Sequence, residues 1–539
     1  MLRAERRTKL FLLMRRRESL AILRAAQGSA GEIFVKVGTK GIVIALVLLL
    51  AACGSSSSPT SSVTSAKSLP LLHATRGATP GIYDDQGRQV LLHGVNYGAL
   101  GDYYIDQPEY PAPVLAKASD FPQMAALGIN SVRLLLSWSR VEPQPGVYDE
   151  TYLAQVRSQI EKAAAQGLYV IVDMHQDAWG KFVATRETSD VCLPPLLEDA
   201  IGWDGAPEWA TITNGLTTCR IQQRELSPAV QAAFTNFYLD TQGIQTRFIA
   251  MWQHVVKAVA PYNNVVGYDL FNEPNPGFLV EADAVTYLSV FYTRLITAIR
   301  ATEAAQAKPV QHIIFFEPDI IWSLLGFTLP TLPIFTDDTN LVFSPHFYCG
   351  AGAPSTAAQC FSYAQSVSQL YQTTFWVGEW GYFGAPDTIG PDVYEFSANQ
   401  DQMLVGAAEW QWAQACGDPH TIGKPGNKPG DTVVQLKLLG CPGDVDLGYV
   451  QANAMAMSRA YPRHAPGRLQ QVSANIDSGE LDMAGSGTGM LELWIPDRIG
   501  KPKISGNGLG APVIKRVPGG FIARVPVSGA YSAQVLKGT

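Results

Sequence analysis

The chain has 539 residues, with 40 Lys and Arg against 47 Asp and Glu and a formal net charge of −7. Its 47% hydrophobic and 16% charged content excludes a disordered or fibrous chain, and its length allows one large domain plus a smaller one. Beyond the first 52 residues the balance is 30 basic to 44 acidic, a net −14; no basic stripe remains to neutralise phosphates, which argues against a nucleic-acid partner.

The apolar run at 41–52 follows Lys36 and Lys40 and ends in Leu50-Ala51-Ala52-Cys53. It is shorter than the roughly 20 residues that cross a bilayer, so it reads as the core of an export signal. Its end resembles a bacterial lipobox, which implies cleavage before Cys53, lipidation of that thiol and a membrane anchor on an exported protein. Residues 1–53 are therefore read as leader, and the Ser/Thr-rich stretch 54–80 as a tether. Six cysteines remain, without the close spacing of a zinc site, and an even number in an exported chain suggests disulfides. Pairing of sequence neighbours is the simplest arrangement: Cys192 with Cys219, Cys349 with Cys360, Cys416 with Cys441.

From residue 81 short apolar runs alternate with amphipathic segments. The expected strands are Val90–Tyr97, Ser131–Trp138, Tyr169–His175, Val265–Asn272, His312–Glu317, Leu341–Tyr348, Phe375–Trp380 and Ala407–Trp412. They lack strict alternation, as strands buried on both faces do. Helical patterns at Tyr152–Gln166, Pro228–Tyr238, Gln245–Val259 and Ala284–Thr302 lie between them. Eight such runs favour a (β/α)₈ TIM barrel over residues 81–454 rather than a doubly wound sheet. One segment breaks the rhythm. Ala178–Ser227 is too long for an ordinary βα loop and holds Trp179, Phe182, Trp203 and Trp209, which suits a wall of the catalytic face. From residue 455 to 539 short strand-like pieces with Gly-rich turns predict a C-terminal β-sandwich.

Two glutamates stand at strand ends. Glu273 follows the fourth run in Leu-Phe-Asn-Glu-Pro, and Glu379 lies near the end of the seventh in Phe-Trp-Val-Gly-Glu-Trp-Gly. Side chains converge at the C-terminal ends of barrel strands, so the two carboxyl groups can face one sugar, one as proton donor and one as nucleophile. Glu317-Pro318 imitates the first motif, but it follows strand five, outside the usual pair, and is read as structural or as supporting the site from behind the reacting groups.

This pairing resembles glycoside hydrolase family 5, from about Gly81 to Trp412. The resemblance implies Glu273 as general acid/base and Glu379 as the nucleophile of a retaining β-glycosidase. It further implies Asn272 as partner of the sugar 2-hydroxyl, Arg133 as the arginine beneath the nucleophile, His346 and Tyr348 as the strand-six pair, and Trp412 as the sugar platform. Trp410 and Trp412 are two apart on one run, and the one nearer the strand's C-terminal end is expected to meet the cleft. A carboxylate beside Arg133 or a tyrosine hydroxyl stays ionised, whereas burial near a second carboxylate should raise the acid.

The stretch Asp173-Met174-His175-Gln176-Asp177 is similar to the endoglycoceramidase branch of that family. There His175 and Asp177 would bind hydroxyls of the sugar at the cleaved bond, and the insertion would wall lipid chains. One departure stands out: the lysine such relatives carry just after strand one is absent from Gly94–Asp102. The substrate implied is a glycolipid or oligosaccharide, with a β-glucan and an inactive glycan-binding lipoprotein as rival readings. No metal cluster, phosphate loop or dinucleotide fingerprint appears, so no cofactor is implied.

Overall fold

The computed structural model describes residues 69–538 apart from 103–113, 201, 203, 222, 328–330, 350–354, 414–434, 441, 442 and 444. The leader with Cys53, most of the tether, Trp203, Cys416 and Cys441 lie outside the described residues.

Eight parallel strands close into a barrel: β1 His93–Tyr97, β2 Ser131–Ser137, β3 Tyr169–His175, β4 Val265–Asp269, β5 Ile313–Phe316, β6 Leu341–Phe343 continued by His346–Phe347, β7 Val377–Trp380 and β8 Ala407–Glu409. The two pieces of β6 close the ring, the first pairing with β5 and the second with β7, while β8 pairs with β1. Burial on both faces explains the near-continuous apolar runs. The surrounding helices start where the chain supplies acceptors for their first amides. Asp149 accepts from the amides of Thr151 and Tyr152 ahead of Glu150–Ala165, and Ser227 accepts from Val230 ahead of Pro228–Tyr238. Gly167, at φ +72°, ends the first of these before β3.

Inward side chains change character along the barrel axis. Ile171, Val266, Ile313, Phe315, Val342, Trp376 and Ala408 form an apolar lower cluster with Leu72 and Ala74. Those last two correct the expected tether. Leu72–Thr75 is a strand paired with Gly81–Asp84, because alternate apolar residues there plug the barrel floor. The expected first strand is likewise divided: Arg88–Val90 leaves the barrel for another sheet, and only His93–Tyr97 stays.

The C-terminal strands form two sheets. Four strands (Arg468–Ala474, Leu481–Ser486, Pro502–Ser505 and Ala530–Lys537) make one, and the other has seven, three of them contributed by the chain ahead of the barrel. Leu469, Leu481, Leu493, Trp494, Val525 and Val535 fill the space between, as in a sandwich. Trp494 lies where a Cβ on Gly128 would stand 2.3 Å from its ring, and the Tyr461 hydroxyl donates to the Gly128 carbonyl. The sandwich therefore presses directly on the turn that leads into β2, at the end of the barrel opposite the strand C-termini.

Candidate active site

Above the apolar lower cluster the inward positions turn polar. Strand register sets Asn96 beside Arg133, Asp173 beside Asp269, and His346 beside Glu379. Arg133 is wholly buried and is the hub. Its guanidinium reaches Glu379 at 2.7 Å, Asp269 at 2.9 Å, and Asp173 and Glu317 at 3.0 Å, and it also donates to Asn96 and Asn272. Burying such a cation costs several kcal/mol, and here surrounding carboxylates offset that cost.

Glu379 lies at the end of β7, with Arg133 on one oxygen and the Tyr348 hydroxyl donating to the other at 2.8 Å. Burial, with Glu379 and Glu273 nearby, keeps the Tyr348 phenol far above its ordinary pKa, so it remains a donor. Glu273 follows β4, and its Oε1 lies 2.9 Å from His346 Nδ1. One oxygen each from Glu273 and Glu379 and one His346 nitrogen fall within 4.8 Å of one another. That close approach suits a retaining pair, whose carboxyl groups stand about 5 Å apart across the sugar. The second acidic group, Asp173, Asp269 and Glu317, has Arg133 as its counter-charge.

The electrostatics correct one expectation. Burial works against the charge on Glu273, but the hydrogen bond and positive charge of His346 outweigh it and hold the carboxyl below its ordinary value. His346 moves the opposite way: burial opposes its charge, yet Glu317, Glu379 and its hydrogen-bonded partners hold it well above an ordinary imidazole. Both shifts favour a charged Glu273 beside a protonated His346. His175 is also raised, since its bond to Asp173 outweighs burial.

The cleft over these groups has a volume of about 430 Å³. His175, Asp177, Asn272, Glu273, Tyr348 and Glu379 line it, while Arg133 and His346 lie behind them. Asn272 is fixed by its bond from Arg133 and its own donation to the Gln176 carbonyl. Asp177 is paired with Arg224 from the insertion.

Trp412 is not the platform. Trp410 lines the cleft, its ring stacked on His175 at 5.3 Å, whereas Trp412 lies under Lys437 and beside Tyr449. Regular strand structure ends at Glu409, so the alternation assumed for the two tryptophans does not extend to them. The peptide bond after Trp410 is cis.

The insertion also differs from expectation. Trp179 is buried edge-on against Trp138 and Phe234 and donates to Thr211, and Trp209 packs on Trp138. Phe182 lies under Lys181 and does not line the cleft. These rings hold the loop to the barrel, where burial contributes more than exposure would. The Cys192–Cys219 bond staples the insertion, and Cys349–Cys360 forms as well. What the insertion gives the cleft is Gln223, Arg224 and Glu225. The apolar side comes from Ile320 and Leu324 after β5, Phe383 after β7 and Trp410. The run Ile320-Ile321-Trp322-Ser323-Leu324-Leu325 behind Glu317 was the available signal.

Residues 83–413 match the family described as cellulase (glycosyl hydrolase family 5). The chain belongs to glycoside hydrolase family 5. A solved structure of an endogalactoceramidase is 39% identical, with 87% of this chain and all of that one covered and a TM-score of 0.79. Endoglycoceramidase I of Rhodococcus hoagii (strain 103S) is 28% identical over 289 residues, 50% of this chain and 51% of that protein. An endoglycoceramidase of Cyanea nozakii is 25% identical over 306 residues, 52% and 57% of the two. The chain thus spans about half the length of the curated relatives it matches.

Proposed function

We propose that the protein is a retaining β-glycosidase that cleaves glycolipids between the glycan and ceramide. The observation that carries this is the approach of one carboxyl oxygen of Glu273 and one of Glu379 to within 4.8 Å at the ends of β4 and β7: Glu379 is held by Arg133 and Tyr348, and Glu273 by His346, which also lies 3.5 Å from Glu379. Glu379, held by Arg133 and Tyr348, attacks the anomeric carbon; Glu273 gives the departing lipid oxygen its proton. The glycosyl–enzyme ester on Glu379 is then hydrolysed by water, with Glu273 taking a proton back. The 2.9 Å contact with His346 Nδ1 gives Glu273 a route to the proton it donates.

The ceramide assignment draws on the likeness to an endogalactoceramidase and on the cleft's divided lining. His175, Asp177 and Asn272 offer polar contacts to sugar, while Ile320, Leu324 and Phe383 offer an apolar side. Each buried CH₂ of an aglycone contributes about 0.8 kcal/mol, so such a side favours a lipid over a second sugar. The insertion adds exposed aliphatic residues, Val191, Leu193, Leu196, Ile221 and Leu226, suited to a lipid surface. A product assay with glycosylceramides and soluble β-glucans side by side should give intact glycan plus ceramide and little from glucans. Release of sugar from glucans alone would replace this substrate with a polysaccharide.

Cys53 is proposed as the lipid anchor that holds the enzyme at the membrane where such substrates reside. Cys53→Ser should move activity from the membrane to the soluble fraction; a variant that stays bound would refute the anchor.

A further inference from the structure

The geometry points to Glu317 as a positioning residue that sets the place and the proton of Glu273, an inference that rests on the acid/base reading of Glu273. Glu317 follows β5, outside the strands that carry the two reacting carboxylates, and is almost fully buried. Its backbone carbonyl accepts from the Tyr292 hydroxyl at 3.0 Å. Its side chain then touches three parts of the site. Oε2 accepts the backbone N–H of Glu273 at 2.7 Å. Oε1 lies 3.0 Å from Arg133, the guanidinium that also holds Glu379, and 3.3 Å from His346 Nε2.

The first contact addresses a conformational need. Glu273 has φ +39°, a left-handed backbone that is unfavourable for a residue with a side chain and persists only where its surroundings impose it. Here both sides of the residue are held: Glu317 takes its N–H, and the Gln176 amide donates to its carbonyl at 2.9 Å. Deleting the carboxylate would free one side and leave a buried amide unpaired.

The other contacts join the two halves of the site. Glu379, Arg133, Glu317 and the Glu273 amide form one continuous chain, so Glu317 helps to fix the spacing between the reacting carboxylates, beside His346, which touches both. On its far side His346 stands between two carboxylates, Glu317 at Nε2 and Glu273 at Nδ1. Around His346 the facing charges are Glu273 and Asp269 from β4 and its end, Glu317 after β5 and Glu379 on β7. Around Glu317 they are Arg133, Asp173, Asp269 and His346. Burial pushes the Glu317 carboxyl well above its ordinary range, with His346 and Arg133 pulling it back; in its charged form it favours protonated His346, so without it the pair with Glu273 should lose its last proton at lower pH.

The test compares wild type, Glu317→Gln and Glu317→Ala by thermal melting and by kcat, KM and pH profile on a glycosylceramide. Glu317→Gln retains an oxygen for the Glu273 amide but not the charge; Glu317→Ala retains neither. The expected result is a fall in kcat of about 10²-fold for Ala, the scale of a misplaced catalytic group, a smaller fall for Gln, KM little changed, and the alkaline limb of kcat/KM moved to lower pH in Gln. If Ala does not fold, the near-isosteric Gln variant carries the test through its pH limb. An active wild type with Gln unchanged in rate and pH profile overturns the role of Glu317. Loss of stability with rate and pH profile intact overturns it too, leaving only a structural residue. A wild type inactive on every β-glycoside would instead overturn the reading on which the inference rests.

Discussion

Glu379→Gln should lower turnover of every β-glycoside by something on the order of 10⁶-fold, the scale seen when a hydrolase loses its nucleophile. An amide cannot form the glycosyl ester, and the other carboxylates gathered on Arg133 are not placed to do so. Asp173, Asp269 and Glu317 are all turned toward Arg133, beneath the cleft rather than along its lining. The fold should survive, because Arg133 keeps those three carboxylates when the fourth is neutralised. A fluorinated glycoside that traps the intermediate should label a peptide containing Glu379 in the wild type and nothing in the variant. Label on Glu317 would reverse the roles assigned here.

Glu273→Ala should act selectively. A ceramide oxygen is a poor leaving group and needs the proton, so cleavage of glycosylceramide should fall by about 10²–10⁴-fold, the usual worth of a general acid. An aryl glycoside with an acidic phenol leaves without help, so formation of its intermediate should be nearly unaffected. Breakdown of that intermediate then lacks its base, and a small anion such as azide should restore turnover by attacking directly. Equal losses across all leaving groups, with no rescue, would show that Glu273 only supports the site.

The barrel was legible because its signals are local and repeated. Runs such as Tyr169–His175 and Ser131–Ser137 are apolar strands that end in polar residues, and both glutamates stand at such ends. Helix starts at Asp149 and Ser227 are written in the adjacent side chains. Other features depend on tertiary position. Whether Trp410 or Trp412 meets sugar turns on where regular strand structure stops, and the sequence through both residues reads as one continuous run. Trp179 has the composition of a lipid wall but lies against Trp138, a residue 41 positions earlier. The lowered carboxyl of Glu273 follows from His346, two strands away, and outweighs the burial that sequence reasoning emphasised. Leu72–Thr75 looked like tether because its partners, the apolar residues of the barrel floor, are distributed along the chain.

The mechanism stands most directly on the anomeric configuration of the first-formed sugar, followed by proton NMR during rapid cleavage of a purified glycosylceramide. Attack by Glu379 with protonation by Glu273, whose nearest oxygens lie within 4.8 Å, proceeds through two inversions at the anomeric carbon. The β-anomer should appear first and mutarotate only later toward the equilibrium mixture. Early appearance of the α-anomer would mean direct attack by water and would contradict a covalent intermediate on Glu379.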